Sequence, residues 1–307
     1  MALIELNTLG KRYYTTPGPR RSAKYVDALR DVTLSIPAQS AWAVVGPNGA
    51  GKSTLFSLLL GFLKPTSGQV QIDGLEPRAY TRTHGAAYLP ERFRLPGGWP
   101  VRGALEALAR LERLPDAAAR TAAVLEQTGL AEHADQKVGA LSRGLLQRLG
   151  LAQSLLAAHS LVVLDEPTEG LDPIWRLRLR EIISELRADG RTLLIASHDL
   201  NEVERFVDQV VLLDQGTIRE TFAAAPDQAE PRRYRIELSS AVADVQNIFP
   251  KVDQSDGRSL IVTVTDANDL SARLAALLAA GAIVESVTPA DRLEQRVRAA
   301  LDREPRA

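Results

Sequence analysis

The segment 46–54, GPNGAGKST, constrains the fold more than any other part of this chain. It fills every position of the pattern G-x-x-x-x-G-K-[ST], in which successive backbone N–H groups surround a phosphate. The apolar segment 41–45 before it predicts a short buried strand, and the apolar segment 53–63 after it predicts a helix. A strand, a glycine-rich loop and a helix in this order predict an α/β fold with a phosphate site at the helix N-terminus.

The residues of this loop have separate predicted tasks at a nucleoside triphosphate. The glycines let the backbone turn towards the phosphates, the Lys52 ammonium would reach the β- and γ-phosphates, and the Ser53 hydroxyl would hold Mg²⁺. We expect the whole loop to bind the nucleotide: Gly46, Pro47, Asn48, Gly49, Ala50, Gly51, Lys52, Ser53 and Thr54.

A second strand ends in two carboxylates. Four aliphatic residues, 161–164, are followed by Asp165 and Glu166. An acidic residue at the end of such a strand lies beside the phosphate loop and can hold Mg²⁺, which is the predicted role of Asp165. Glu166 would polarise the water that attacks the γ-phosphate. The pair therefore indicates hydrolysis as well as binding.

A third motif, LSRGLLQR, covers residues 141–148 and precedes an apolar helix. Ser142 has the character of a helix N-cap, and Gly144 permits another backbone to approach closely. A capped helix start can bind an anion. Taken alone, however, this motif indicates no more than helix capping.

Together these motifs resemble the nucleotide-binding subunits of ABC transporters, over about residues 3–216. LSRGL at 141–145 is similar to the family signature LSGGQ, EGLD at 169–172 to its D-loop, and His198 to its switch histidine. The resemblance implies an α/β P-loop NTPase cassette that binds and hydrolyses ATP. Its expected parts are a parallel sheet core, an antiparallel β subdomain and a helical subdomain over about residues 90–158.

The resemblance also implies a head-to-tail dimer, either a homodimer or a heterodimer with a related ATPase subunit. Each ATP would lie between the phosphate loop of one copy and Ser142 and Gly144 of the other. Asp172 of the D-loop is a further expected nucleotide contact. Tyr13 is similar to the aromatic residue that stacks on adenine, with the adjacent Tyr14 as a rival.

Two departures from the family pattern concern the site. Arg143 and Leu145 replace a glycine and the glutamine of the common signature, and Glu91 stands where the family has its Q-loop glutamine. Glu91 can still ligate Mg²⁺ or water through oxygen, although it adds negative charge and cannot donate an N–H. We expect nucleotide binding to survive both changes, with Glu166 and His198 as the catalytic residues.

The composition limits the possible partners. A net charge of −1 over 307 residues argues against a general nucleic-acid binder. No apolar run approaches the roughly 18 residues needed to span a bilayer. Any membrane role would therefore need a partner protein. The combination of YLPE at 88–91, a signature of the form LSxGxxQR and a C-terminal α+β domain resembles the branch of the family that powers separate export permeases. This resemblance implies a cytoplasmic protein that is held at the cell membrane by an integral-membrane permease of the export type. The alternative is a soluble ABC-family ATPase of translation or DNA repair, but such proteins resemble tandem cassettes or carry coiled-coil insertions.

The sequence predicts an ATP-binding domain over 1–222, a linker over 223–231 and an α+β accessory domain over 232–307. In the last segment, alternating apolar residues predict strands, and leucine repeats predict a helix at 270–278 and a closing helix at 293–301. A regulatory ligand-binding role and a dimer contact both remain open for this domain.

Overall fold

The computed structural model describes residues 2–14, 25–224, 232–240 and 245–290, together with Val297, Ala300 and Leu301. The chain divides into two compact units, Met1–Phe222 and Ala223–Ala307. A basic loop over 15–24, most of the predicted linker and most of the predicted closing helix lie outside the described residues.

The first unit combines strands and helices in alternation. Its strands are β1 (Ala2–Tyr14), β2 (Tyr25–Pro37), β3 (Ala41–Val45), β4 (Ser67–Ile72), β5 (Ala87–Leu89), β6 (Leu161–Asp165), β7 (Thr192–Ser197), β8 (Gln209–Asp214) and β9 (Thr217–Ala223). Its helices are α1 (Lys52–Leu59), α2 (Pro77–His84), α3 (Val101–Leu111), α4 (Ala117–Gln127), α5 (Arg143–Leu155), α6 (Pro173–Ala188) and α7 (Leu200–Val203).

The central sheet places the chemistry-bearing residues along one edge. Its strand order is β5-β6-β7-β3-β8-β9, and β5, β6, β7, β3 and β8 run parallel to their neighbours in this series. Strands β3 and β6 are buried along their whole length, as expected for a parallel sheet covered on both faces. Val45 pairs with Ser197 and Asp165 with Ala196, so the three strands end side by side.

A smaller antiparallel sheet of order β2-β1-β4 completes the sandwich around α1. Ile4 and Leu6 of β1 share one apolar cluster with Phe56 of α1 and Val163 of β6, and all four are at most 1% exposed. Burial of such side chains is worth about 1.5–3 kcal/mol each. The helix that carries the phosphate loop is therefore fixed between two sheets.

The predicted α/β cassette is confirmed, with differences in several elements. The helical pattern that begins at Val101 predicts a second helix over 116–127, and α4 at Ala117–Gln127 confirms it; Arg113 and Asp116 separate it from α3 with positive φ angles of 55° and 53°. Helix α1 ends at Leu59 and not at residue 63, since Gly61 has a φ of 72°. The short elements α2, β5 and β9 have too little periodicity to be predicted.

The second unit has its own sheet and core. Its elements are β10 (Arg232–Leu238), α8 (Val245–Ile248), β11 (Val252–Ser255), β12 (Ser259–Val264), α9 (Ala267–Ala279) and β13 (Val284–Pro289). The sheet order is β11-β12-β10-β13 with antiparallel pairing throughout, which together with the chain order is the split β-α-β arrangement. Ile236, Leu260 and Phe249 are fully buried in this core. In neither unit does a described helix have the length and apolar character to cross a membrane.

Candidate active site

The phosphate loop joins the end of β3 to the start of α1, as predicted. Lys52 is the first residue of α1 and is only 7% exposed. Its Nζ donates hydrogen bonds to the carbonyl oxygens of Gly46, at 2.7 Å, and Pro47, at 3.3 Å. The ammonium group is thus folded back over the loop, where its charge can meet an incoming phosphate.

At two positions of the loop, nearby backbone atoms leave space only for glycine. A Cβ on Gly46 would lie 2.0 Å from the carbonyl oxygen of Leu213 in β8. Gly51 has a φ of 110°, and its Cβ would lie 2.5 Å from the carbonyl oxygen of Ala28 in β2. The loop is therefore held between the central sheet and the antiparallel sheet, with no room for side chains at these two positions.

A cavity of about 570 Å³ opens above this loop. Its lining combines the loop with residues from the ends of β6 and β7 and from the segment after β5: Ala28, Asn48, Gly49, Ala50, Gly51, Lys52, Ser53, Thr54, Glu91, Asp165, Glu166, Glu169 and His198. The structure thus brings together most of the residues that the sequence predicts. The lining does not include six of the predicted residues: Tyr13, Gly46, Pro47, Ser142, Gly144 and Asp172.

Asp165 ends β6 and is 2% exposed. Burial raises the pKa of its carboxyl to about 6, and the nearby Glu166 and Glu91 carboxylates act in the same direction. A hydrogen bond from the Ser53 hydroxyl and the charge of Lys52 act in the opposite direction. Ser53 and Asp165, predicted to share a metal ion, both line the same cavity.

Glu166 lies in a tightly restrained turn. It has a φ of 50°, and its N–H donates to the carbonyl oxygen of Ala196. The carbonyl oxygen of Glu166 accepts a hydrogen bond from Nε2 of Gln147 at 3.1 Å. Oε2 of Glu166 lies 2.8 Å from Nδ1 of His198. Burial raises the pKa of the Glu166 carboxyl, whereas His198 lowers it.

Sequence reasoning missed Gln147 as part of this site. Its side chain is 8% exposed and also donates to the carbonyl oxygen of Pro167, at 3.2 Å. The signal was the glutamine in LSRGLLQR, a polar residue near the start of a largely apolar helix. A buried amide is stable only when its hydrogen bonds are satisfied, and these two carbonyl oxygens satisfy its donors.

The remaining predicted residues cap helices or lie further away. Ser142 is the N-cap of α5, accepting from the N–H of Leu145 at 3.3 Å, and Asp172 is the N-cap of α6, accepting from the N–H of Trp175 at 2.9 Å. The side chain of Tyr13, at the end of β1, is 41% exposed. No contact places it at the cavity among the residues that the structure describes.

The donor set of the cavity fits the predicted Mg²⁺. Ser53, Asp165 and Glu91 all present oxygen and all line the cavity. Burial, together with repulsion from the neighbouring carboxylates, raises the pKa of Asp165, and a bound divalent cation would relieve that repulsion. Within the described ranges, no cluster of three or more His, Cys, Asp or Glu could hold a metal alone. Mg²⁺ is usually bound through one or two protein oxygens together with substrate phosphates.

Comparison with known proteins agrees with this geometry. The ABC transporter family profile matches residues 29–169. The nickel import ATP-binding protein NikE of Pseudomonas putida is 36% identical over 265 residues, covering 80% of this chain and 94% of that protein. The chain belongs to the ABC transporter family. Within this family, the Nod factor export ATP-binding protein I of Burkholderia orbicola is 34% identical over 263 residues, covering 82% and 86% of the two chains.

Solved ABC cassettes share the fold. A dimeric cassette named MJ0796, in a post-hydrolysis state bound to ADP and Pi, has a TM-score of 0.66 at 23% identity, covering 73% of this chain and 99% of that one. An ATP-binding subunit of an ABC transporter has a TM-score of 0.62 at 27% identity, covering 72% and 90%. This ABC transporter subunit is an ATP-binding protein and an ATPase.

Proposed function

We propose that this subunit hydrolyses ATP in the cavity above the phosphate loop and that the energy drives a separate membrane permease. The observation that carries the proposal is the Glu166 carboxylate, which lies 2.8 Å from Nδ1 of His198 and faces the same cavity as Lys52. A buried carboxylate with a raised pKa beside a phosphate site is the arrangement of a general base.

In the proposed reaction, the loop N–H groups and Lys52 bind the phosphates, and Ser53, Asp165 and Glu91 would hold Mg²⁺. When bound, the cation would neutralise charge on the β- and γ-phosphates. Glu166 accepts a proton from the water whose oxygen forms the new bond to the γ-phosphorus. The bond from that phosphorus to the bridging oxygen breaks, and ADP leaves with the electron pair. His198 orients Glu166 and offers Nε2 to the γ-phosphate.

The proposed working unit is a dimer, of two copies or of this chain with a related subunit. Helix α5 begins after Ser142, and a helix N-terminus is an anion site. Ser142 and Gly144 would contact the γ-phosphate of ATP held by the other copy, Asp172 would lie at the same seam, and Tyr13 would stack on adenine. The dimeric form of the solved cassettes with this fold supports the arrangement.

We further propose that the permease spans the membrane and that the subunit is bound to its cytoplasmic side. Both compared relatives are named as ATP-binding proteins of transport systems, one of nickel import and one of Nod factor export. A lantibiotic transport protein from Streptococcus pyogenes is 35% identical over 195 residues. These names include both directions of transport; we propose export for this chain because YLPE at 88–91, the signature form LSxGxxQR and the C-terminal α+β domain resemble the export branch of the family. In this proposal, residues 1–222 form the motor, 223–231 a linker and 232–307 an accessory domain, and no nucleic acid takes part.

Two measurements test the proposal. The purified chain should release phosphate from Mg-ATP, and Glu166→Gln should bind ATP while turning over at least about 100-fold more slowly, as expected for loss of a general base. Lys52→Ala is the control that loses binding itself. For the transport role, the tagged chain should copurify with a membrane protein. ATP added to inside-out vesicles should then drive cargo inward, whereas uptake only by right-side-out vesicles would contradict export.

A further inference from the structure

The side chain of Arg143 lies along the loop that joins β6 to α6. Arg143 is the first residue of α5, and its guanidinium forms an ion pair with Glu169. A Cβ added to Gly170 would lie 3.0 Å from Cγ of Arg143 and 3.3 Å from its Cδ. The aliphatic part of the arginine therefore packs against Gly170 while its charged end binds the residue before it.

The start of α5 contacts this same loop at further points. A Cβ on Gly144 would lie 2.8 Å from the carbonyl oxygen of Gly170, so the two backbones touch. One turn later, Gln147 donates to the carbonyl oxygens of Glu166 and Pro167. Helix α5 thus contacts the loop 166–170 at both of its ends. Arg143 supplies the charged contact.

The backbone of Glu166 has an unfavourable conformation that contacts from neighbouring residues must stabilise. Its φ of 50° is one that a non-glycine residue adopts only when its surroundings impose it. The N–H of Glu169 donates to the carbonyl oxygen of Glu166 at 3.1 Å, which closes the turn. Glu169 also lines the cavity. A contact that holds Glu169 in place therefore also restrains the backbone of Glu166, which determines the direction of its carboxylate.

We propose that Arg143 is a positioning residue, which through Glu169 holds the loop 166–170 so that Glu166 faces the γ-phosphate. This inference rests on the proposed function of the same cavity. The Arg143 side chain is 72% exposed, and exposed ion pairs contribute little to global stability. Loss of the pair should therefore change the order of the loop and the turnover of ATP, while the melting temperature stays close to that of the unaltered chain.

The experiment compares charge removal with charge reversal in the full chain. Arg143→Ala and Arg143→Glu should lower kcat for ATP about fivefold or more with KM within about twofold, and the double variant Arg143→Glu with Glu169→Arg should recover most of kcat. The kcat of Arg143→Lys should lie between those of the unaltered chain and Arg143→Ala. Arg178→Ala is the matched control, because it removes the arginine of another ion pair, with Glu181 at 2.7 Å, and should leave kcat unchanged.

Hydrogen exchange gives a second readout that does not depend on turnover. Backbone amides of 166–170 should exchange faster in Arg143→Ala than in the unaltered chain, and the reversed pair should restore protection. Unchanged kcat and exchange in both single variants would overturn the inference. So would a reversed pair as slow as Arg143→Glu alone, since Arg143 would then act on something other than Glu169. Failure of the unaltered chain to hydrolyse ATP would instead contradict the proposed function, and the exchange result would still decide the inference.

Discussion

Oε2 of Glu166 and Nδ1 of His198 lie 2.8 Å apart, although the two residues come from the ends of different strands. Strands β6 and β7 are parallel neighbours, so the carboxyl end of each lies at the same edge of the sheet. The contact uses one ring nitrogen of His198 to fix the glutamate. In the proposed mechanism, the other ring nitrogen, Nε2, contacts the γ-phosphate.

Loss of His198 should alter both the rate and its pH dependence. We expect His198→Ala to lower kcat by about 10- to 100-fold, because Glu166 loses its orienting partner. His198 lowers the pKa of the Glu166 carboxyl, so its removal lets that pKa rise. Since the base must be ionised, the acid limb of the pH–rate profile should move to higher pH. Phosphate release measured from about pH 5 to 9 checks this, and an unmoved acid limb would remove His198 from its assigned contact.

Neutralising Asp165 should stabilise the nucleotide-free protein at neutral pH. The pKa of Asp165 is about 6 in the folded state against an ordinary value of 3.8, so the folded state holds its proton more tightly than the unfolded chain. Stability is therefore lost as pH rises from about 4 to about 6, and it stays lost above that range. Asp165→Asn should raise the free energy of unfolding by up to about 3 kcal/mol at about pH 7.5, since a difference of one pKa unit corresponds to about 1.4 kcal/mol.

Urea unfolding of both proteins at several pH values measures this difference. The advantage of Asp165→Asn should shrink towards zero near about pH 4, where the carboxyl of the unaltered protein is largely neutral in the folded state. An advantage that is constant with pH would show that the buried charge is not its cause. Mg-ATP should stabilise the unaltered protein more than the variant, because the variant lacks a charged ligand for the cation.

A methyl group at Gly46 should distort the phosphate loop. Its Cβ would meet the carbonyl oxygen of Leu213 at 2.0 Å, so Gly46→Ala should destabilise the fold by more than about 2 kcal/mol and weaken ATP binding. Gly74→Ala is the matched control. Gly74 has a positive φ of 73°, but no heavy atom lies within 4 Å of the position that a Cβ would occupy, so only backbone strain of about 1 kcal/mol is expected there. Equal losses of folding stability in Gly46→Ala and Gly74→Ala would contradict the steric argument.

The parts of the candidate site that are contiguous along the chain are the ones that the sequence predicts. The phosphate loop has a fixed pattern of glycines, lysine and serine between a strand and a helix. Asp165 and Glu166 directly follow the four aliphatic residues of a buried strand. The buried strands β3 and β6 were predictable because burial on both faces demands an unbroken apolar run.

Contacts between distant segments could not be predicted in the same way. The hydrogen bonds of Gln147 and the ion pair of Arg143 with Glu169 depend on where α5 packs against the loop after β6. No local pattern encodes that placement. The positive φ of Glu166 is likewise imposed by its hydrogen bonds with Ala196 and Gln147.

ATP-dependent association of Glu166→Gln tests the central claim most directly, because blocked hydrolysis should trap two copies around two ATP molecules. By analytical ultracentrifugation, this variant should be a monomer without nucleotide and a dimer with Mg-ATP. Adding Lys52→Ala should return it to a monomer at every ATP concentration. A variant that binds ATP by equilibrium dialysis and yet sediments as a monomer at saturating Mg-ATP would contradict the claim that two copies of this chain enclose the nucleotides.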